Sequence, residues 1–137
     1  MLINEGHDIS FRNANQELVI IDSVGADVNI GDGVDIFKGV SLQQGSTIGE
    51  KARIGEGSIL ERFSEVDARV KLGSGVLLEE HSHVCADARL GYGVVLGNHS
   101  VVAEHEIVAD NTIIPSHTLL WHGIYFSLSS QPLFVEM

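Results

Sequence analysis

Every sixth residue from Val24 to Leu120 is Ile, Leu or Val, seventeen positions without a slip. The frame is plainest between Leu72 and Val95, which reads LGSGVL, LEEHSH, VCADAR, LGYGVV. Fixed-period self-similarity has to be read before any individual strand or helix, and a period of six is a β-helix signature. No linker, inserted loop or second domain interrupts it, so the chain reads as one unit of 137 residues with enough apolar content for a core.

Strand alternation dictates what the frame does. If the opening residue points inward, the residue before it points outward and the one before that points inward. Positions five and one therefore fill the interior, and position six faces solvent or a partner. Position five runs V, V, V, S, A, S, S, V, V, S, A, V, S, E, T, T, I from Val28 to Ile124, mostly small side chains that suit a narrow prism. Position four must turn a corner. It is Gly at 33, 39, 45, 57, 75, 93 and 123, Asn at 111, Asp at 27 and 87, and His at 81, 99, 105 and 117. Those residue types tolerate a left-handed backbone. Three strands and three corners make a coil of 18 residues, with coils stacked about 4.8 Å apart.

The residues outside the lattice are few. Residues 1–17 mix charge, Asn and Gly and read as an N-terminal cap or entry segment; residues 18–125 carry the repeat, with Leu18–Ile21 able to open the first coil. Residues 126–137 leave the frame, Pro132 opposes a helix there, and Leu133–Val135 could cover the open end or pair with another subunit's edge. Eight Lys and Arg against nineteen Asp and Glu give a net charge of −11, a poor footprint for nucleic acid or an anionic membrane. The opening residues MLINEGHDIS lack the basic and apolar regions of a signal peptide, no apolar run approaches a membrane span, and the single Cys85 permits no internal disulfide. A cytoplasmic protein is expected.

The pattern [LIV]-[G/small]-x-[turn]-[small]-x resembles the hexapeptide-repeat superfamily over roughly three-quarters of the chain. The resemblance implies an all-β, single-domain, left-handed parallel β-helix of triangular section, here without an ejected loop, and a homotrimer. Members of that superfamily include acyltransferases acting on sugars, amino acids and antibiotics, the γ-class carbonic anhydrases, and proteins with no catalytic role.

Wrapping the sequence at 18 residues sorts position six into three outward columns. One is Asn29, Thr47, Glu65, His83, Val101 and Leu119; a second is Asp35, Arg53, Lys71, Arg89, Ile107 and Tyr125. The third, Ser41, Ile59, Leu77, Val95 and Ile113, is apolar along nearly its whole length. Stacked aliphatic side chains on an outer face mark an interface, so Ile59, Leu77, Val95 and Ile113 are the expected oligomer contact unless a terminal segment folds over them. The corner following that column carries Gly45, Phe63, His81, His99 and His117 in register.

His81, His99 and His117 are thus candidate catalytic residues, each able to act as general base towards an acceptor hydroxyl or amine, with Glu79 and Glu80 beside His81. The alternative is that these histidines serve only the turn. Glu106 joins the candidates because it alone places a carboxylate at an inward position, where desolvation raises a pKa. His117-x4-His122-Gly123 is similar to a segment of the γ-class carbonic anhydrases, and that similarity implies a zinc held across a subunit interface by His117, His122 and a third histidine, His81 or His99, with an open fourth position. Cys85 reads as a small filler rather than a nucleophile, and Tyr92 and Trp121 as surface aromatics.

Three functions stay open. The first is acyl transfer from an acyl-CoA to a small hydroxyl or amine acceptor. Against it, every Lys and Arg lies at or before Arg89, which leaves the last coils without a cation for the nucleotide phosphates. The second is a non-enzymatic trimeric binding or scaffold protein, and the third is a zinc hydratase.

Overall fold

The computed structural model describes residues 2–3, 9–12, 18–21 and 23–128, with side chains from Val24 to Leu128. Among the described residues every regular element is a strand, and none is a helix long and apolar enough to cross a membrane. Parallel strands of two to four residues stack into a solenoid of about 5 turns. Each pairs with the strand 18 residues away: Ser41 with Ile59, Ile59 with Leu77, Leu77 with Val95, and Val95 with Ile113 on one face. The same step links Arg53, Lys71, Arg89 and Ile107 on a second face, and Thr47, Glu65, His83, Val101 and Leu119 on the third. We call these the Ile59, Lys71 and His83 faces.

The six-residue frame is the burial pattern. All seventeen position-one residues are at most 5% exposed. Position five is buried from Val28 to Ser100 and again at Thr118, half-buried at Glu106 and Thr112, and exposed at Ile124. Every position-four residue from Asp27 to Gly123 has a positive φ, between 57° and 74°. Lys51, Phe63 and Arg69 adopt it too (59°, 59° and 60°), although the left-handed region is costly for such side chains. The coil's need for a corner overrides local preference.

Both ends depart from the lattice by hairpin chemistry. Leu18–Ile21 does not open the first coil; it pairs antiparallel with Ile9–Arg12, and the parallel stack begins at Ser23–Val24. Leu2–Ile3 lies antiparallel against Val28–Asn29 at the first edge of the His83 face. At the other end Ile124–Ser127 runs back antiparallel along Thr118–Trp121. Its two-residue turn is His122–Gly123, both at positive φ (51° and 72°), the backbone a tight hairpin requires. Ile124 and Tyr125 therefore leave the frame that the sequence assigns them. The His83 face thus ends in an antiparallel strand at each edge, which covers the edge of the parallel stack and becomes the sheet's own edge. Leu133–Val135 lie outside the described residues.

Candidate functional site

Three corners separate the three faces, and each has its own chemistry. The corner between the Lys71 and Ile59 faces is Gly39, Gly57, Gly75, Gly93 and Asn111. It shows what the turn alone selects. The corner between the Ile59 and His83 faces instead carries Phe63, His81, His99 and His117, whose rings stack in sequence. Their centroids are 5.2, 4.8 and 5.1 Å apart, with interplanar angles of 16°, 4° and 10°. The spacing is that of the coils. Phe63 ends the ladder by covering Gly45, where an added Cβ would stand 2.5 Å from its ring. The three imidazoles are exposed, and among the described residues none of their ring nitrogens has a hydrogen-bond partner.

Glu79 and Glu80 do not orient His81. Glu80 is engaged by Arg62, 3.1 Å away, and Glu61 beside them has its carboxyl pushed up, first by burial and then by the charges of Glu79 and Glu80. At the C-terminal end of the ladder a cleft of about 410 Å³ is lined by Ile113, Pro115, Thr118, Tyr125, Phe126 and Ser127. It lies between the Ile59 face and the returning hairpin strand. Leu128 donates its N–H to the carbonyl of His117, so the hairpin, the cleft and the last rung of the ladder adjoin. The outward column of the Ile59 face stands as the 18-residue wrap places it. Ile59 is 38% and Ile113 71% exposed, with Leu77 and Val95 half-buried between them, and Ile124–Ser127 return along the His83 face rather than over it.

The other sequence candidates are dispersed. Glu106 is not sealed in the prism: its carboxylate oxygens accept the N–H groups of His122 and Gly123 at 2.9 and 3.1 Å, tying down the hairpin turn. His81 and His117 sit two coils apart in the ladder, whereas His122 lies in that turn with its ring 4.6 Å from Trp121. Within this chain these three are not brought together as ligands. Cys85 is half-buried, and its thiol is pushed up to about 11 by burial and by Asp67, Glu104 and Glu65. It is a poor nucleophile at neutral pH.

Two groupings escaped the sequence reading. The corner between the His83 and Lys71 faces gathers Lys51, Arg69, Lys71 and Arg89 with Asp87 and His105 around a shallow depression of about 470 Å³. It concentrates half of the chain's eight Lys and Arg residues. Arg69 grips Asp87 through two bonds of 2.8 and 3.1 Å, holding that carboxyl below its usual range. The other is Asp67, His83 and Cys85 on the His83 face. Both were latent in the 18-residue wrap: Lys51, Arg69, Asp87 and His105 form one position-four column, and Asp67 and Cys85 share position two on consecutive coils.

No family model and no curated relative matches the sequence. Solved structures do. The acetyltransferase domain of PglB from Neisseria gonorrhoeae FA1090, solved in complex with acetyl coenzyme A, superposes with a TM-score of 0.60 at 18% identity over 74% of this chain. A hexapeptide transferase family protein from Anaplasma phagocytophilum gives 0.54, likewise at 18% identity over 74% of this chain. The chain spans about half the length of the first (53%) and 68% of the second. At such identity the likeness establishes the architecture: this chain has the stacked-coil β-prism of the hexapeptide-repeat proteins.

Proposed function

We propose that this protein is an acyltransferase-like member of the hexapeptide-repeat class. In this reading it moves an acyl group from an acyl-CoA to a hydroxyl or amine of a small acceptor such as a sugar, at a cleft between subunits of a homotrimer. The observation that carries the reading is the imidazole ladder. A glycine corner satisfies the same turn elsewhere in the same coils, so the turn alone does not call for His81, His99 and His117. They adjoin both an outward aliphatic column fit for subunit contact and an apolar cleft fit for a pantetheine arm. The structural neighbour solved with acetyl coenzyme A supports the choice of donor.

In the chemistry proposed, a neutral imidazole of the ladder accepts the proton of the acceptor nucleophile as it attacks the thioester carbonyl. The expelled CoA thiolate then takes up a proton, which the imidazolium can return. With no ring nitrogen bonded to a side chain among the described residues, each imidazole is free to take either tautomer. His117 is the rung nearest the cleft, so it is assigned the base; His99 holds its ring by stacking and is itself stacked on His81. The test is release of free CoA thiol from acetyl-CoA over a panel of amino- and hydroxy-sugars, combined with acetyl-CoA-dependent thermal stabilisation. Activity that falls by about a hundredfold or more in His117→Asn with binding retained supports the base; equal activity in His81→Asn/His99→Asn/His117→Asn overturns it.

A second reading has its own support. No coil ejects a loop to embrace an acceptor, and the coils after Arg89 hold no Lys or Arg to meet nucleotide phosphates. A trimeric scaffold fits both facts. Absence of any acetyl-CoA-induced shift and of any thiol release would select it.

A further inference from the structure

We propose that Asp67, His83 and Cys85 form a binding site for one divalent transition-metal ion of the zinc type, separate from the imidazole ladder. Asp67 and Cys85 occupy the same frame position on adjacent coils. His83 lies in the outward column beside them and reaches across the coil step, its Nε2 3.0 Å from Asp67 Oδ2. One ligand atom from each of the three lies within 4.8 Å of the others, and all three residues are half-buried. Among the described residues no other His, Cys, Asp or Glu side chains converge as a trio in this way. Bonds of about 2.0–2.3 Å in a tetrahedral zinc site set ligand atoms about 3.3–3.7 Å apart. Closing the remaining gap calls for rotation about the side-chain torsions of these half-buried residues.

The surroundings point to a cation. Glu65 Oε1 is 3.6 Å from His83 Nδ1, where a carboxylate orients an imidazole whose other nitrogen binds metal. Glu65 and Asp67 form ion pairs only with His83 among the described residues, with no Lys or Arg to balance them, and Glu104 adds a third negative charge near the thiol. A sulfur, an imidazole nitrogen and a carboxylate oxygen suit zinc, cobalt or nickel and disfavour magnesium and calcium, which take oxygen ligands. Three protein ligands on a partly exposed face leave a fourth position for water. Binding displaces the Cys85 thiol proton to solvent and forms a metal–thiolate bond. The ordinary alternative is a His83–Asp67 ion pair with Cys85 as a neutral neighbour.

The full chain, reduced and stripped with EDTA, is titrated with cobalt while thiolate-to-cobalt charge-transfer absorption is followed. Zinc affinity is then measured by competition with a chromophoric chelator. One equivalent per chain is expected. Cys85→Ser should abolish the absorption, and both Cys85→Ser and His83→Gln should weaken zinc by about tenfold or more. The ladder variant His81→Asn/His99→Asn/His117→Asn should leave both unchanged. On the unmutated chain, zinc but not magnesium should protect Cys85 from iodoacetamide, a readout that survives even if a variant misfolds. Absence of the thiolate–cobalt band, zinc affinity unaltered in Cys85→Ser and His83→Gln, or loss of binding in the ladder variant overturns the site.

Discussion

Behind the imidazole ladder runs an inward column of hydroxyls, Ser46, Ser64, Ser82, Ser100 and Thr118, and its members are not equivalent. All four serines are fully buried. Ser46 donates to the carbonyl of Gln43 at 2.9 Å. Ser100 donates to the carbonyl of Pro115 and accepts the Thr118 N–H. Ser64 and Ser82, on adjacent coils, have no partner for Oγ among the described residues. A buried hydroxyl without a partner costs about 1–3 kcal/mol. Replacing it with alanine removes that cost and leaves a space of one oxygen atom, a penalty well under about 1 kcal/mol on the cavity scale. Ser64→Ala and Ser82→Ala should each stabilise the fold by about 1 kcal/mol. For a chain of this size that is about 3–4 °C in Tm. Ser100→Ala is the reverse case, since it strands the Thr118 N–H and should cost about 1–3 kcal/mol. Thermal and urea melts followed by circular dichroism, at one fixed protein concentration and without ligand, distinguish the two. A fall of more than about 2 °C in either Ser64→Ala or Ser82→Ala refutes the reasoning. A double-mutant cycle would then show whether the two hydroxyls bond each other.

Three further outcomes are expected. Ile59→Lys with Leu77→Lys should lower the solution mass by light scattering from that of an oligomer to that of one chain; an unchanged oligomer mass removes the Ile59 face as the contact. Glu106→Ala should speed hydrogen exchange at the His122 and Gly123 amides by about tenfold while leaving the mid-stack amides unaffected. Iodoacetamide labelling of metal-free Cys85 should be slow at pH 8 and rise towards pH 11, because the folded thiol titrates near 11 rather than 9.0. The linkage follows the same sign: below pH 9 the thiol is protonated in both states. As pH rises from 9 to 11 the unfolded chain loses its proton first, so folding stability declines across that window.

Much of the fold was legible because one rule repeats. A period-two alternation wrapped at six fixes which side chain is inside, and all seventeen position-one residues obey it. The aliphatic column and the imidazole ladder follow from the same arithmetic, since an 18-residue coil superposes residues 63, 81, 99 and 117. What stayed illegible lies where a side chain's length or a chain reversal escapes the period. The frame assigns Glu106 an inward Cβ, but one further methylene carries its carboxylate away to the hairpin amides. Ile124 and Tyr125 match the frame by residue type, yet the His122–Gly123 turn reverses the strand before they can use it. Lys51, Phe63 and Arg69 look unsuited to a corner, and tertiary stacking imposes one on them. Asp67, His83 and Cys85 belong to two frame positions on two coils, so no single column displays them.

A prism of this kind converts chain length into rotation. Adding or removing six residues within the stack turns everything downstream by one face. The aliphatic column would then continue beneath a charged one, and the ladder would break at the join. A change of 18 residues leaves every column in line and alters only how many rungs each contains. Natural or engineered length variants of this chain should therefore tolerate steps of 18 and fail at 6 or 12. The number of stacked imidazoles becomes a dial set by coil count, adjustable without redesigning any single turn.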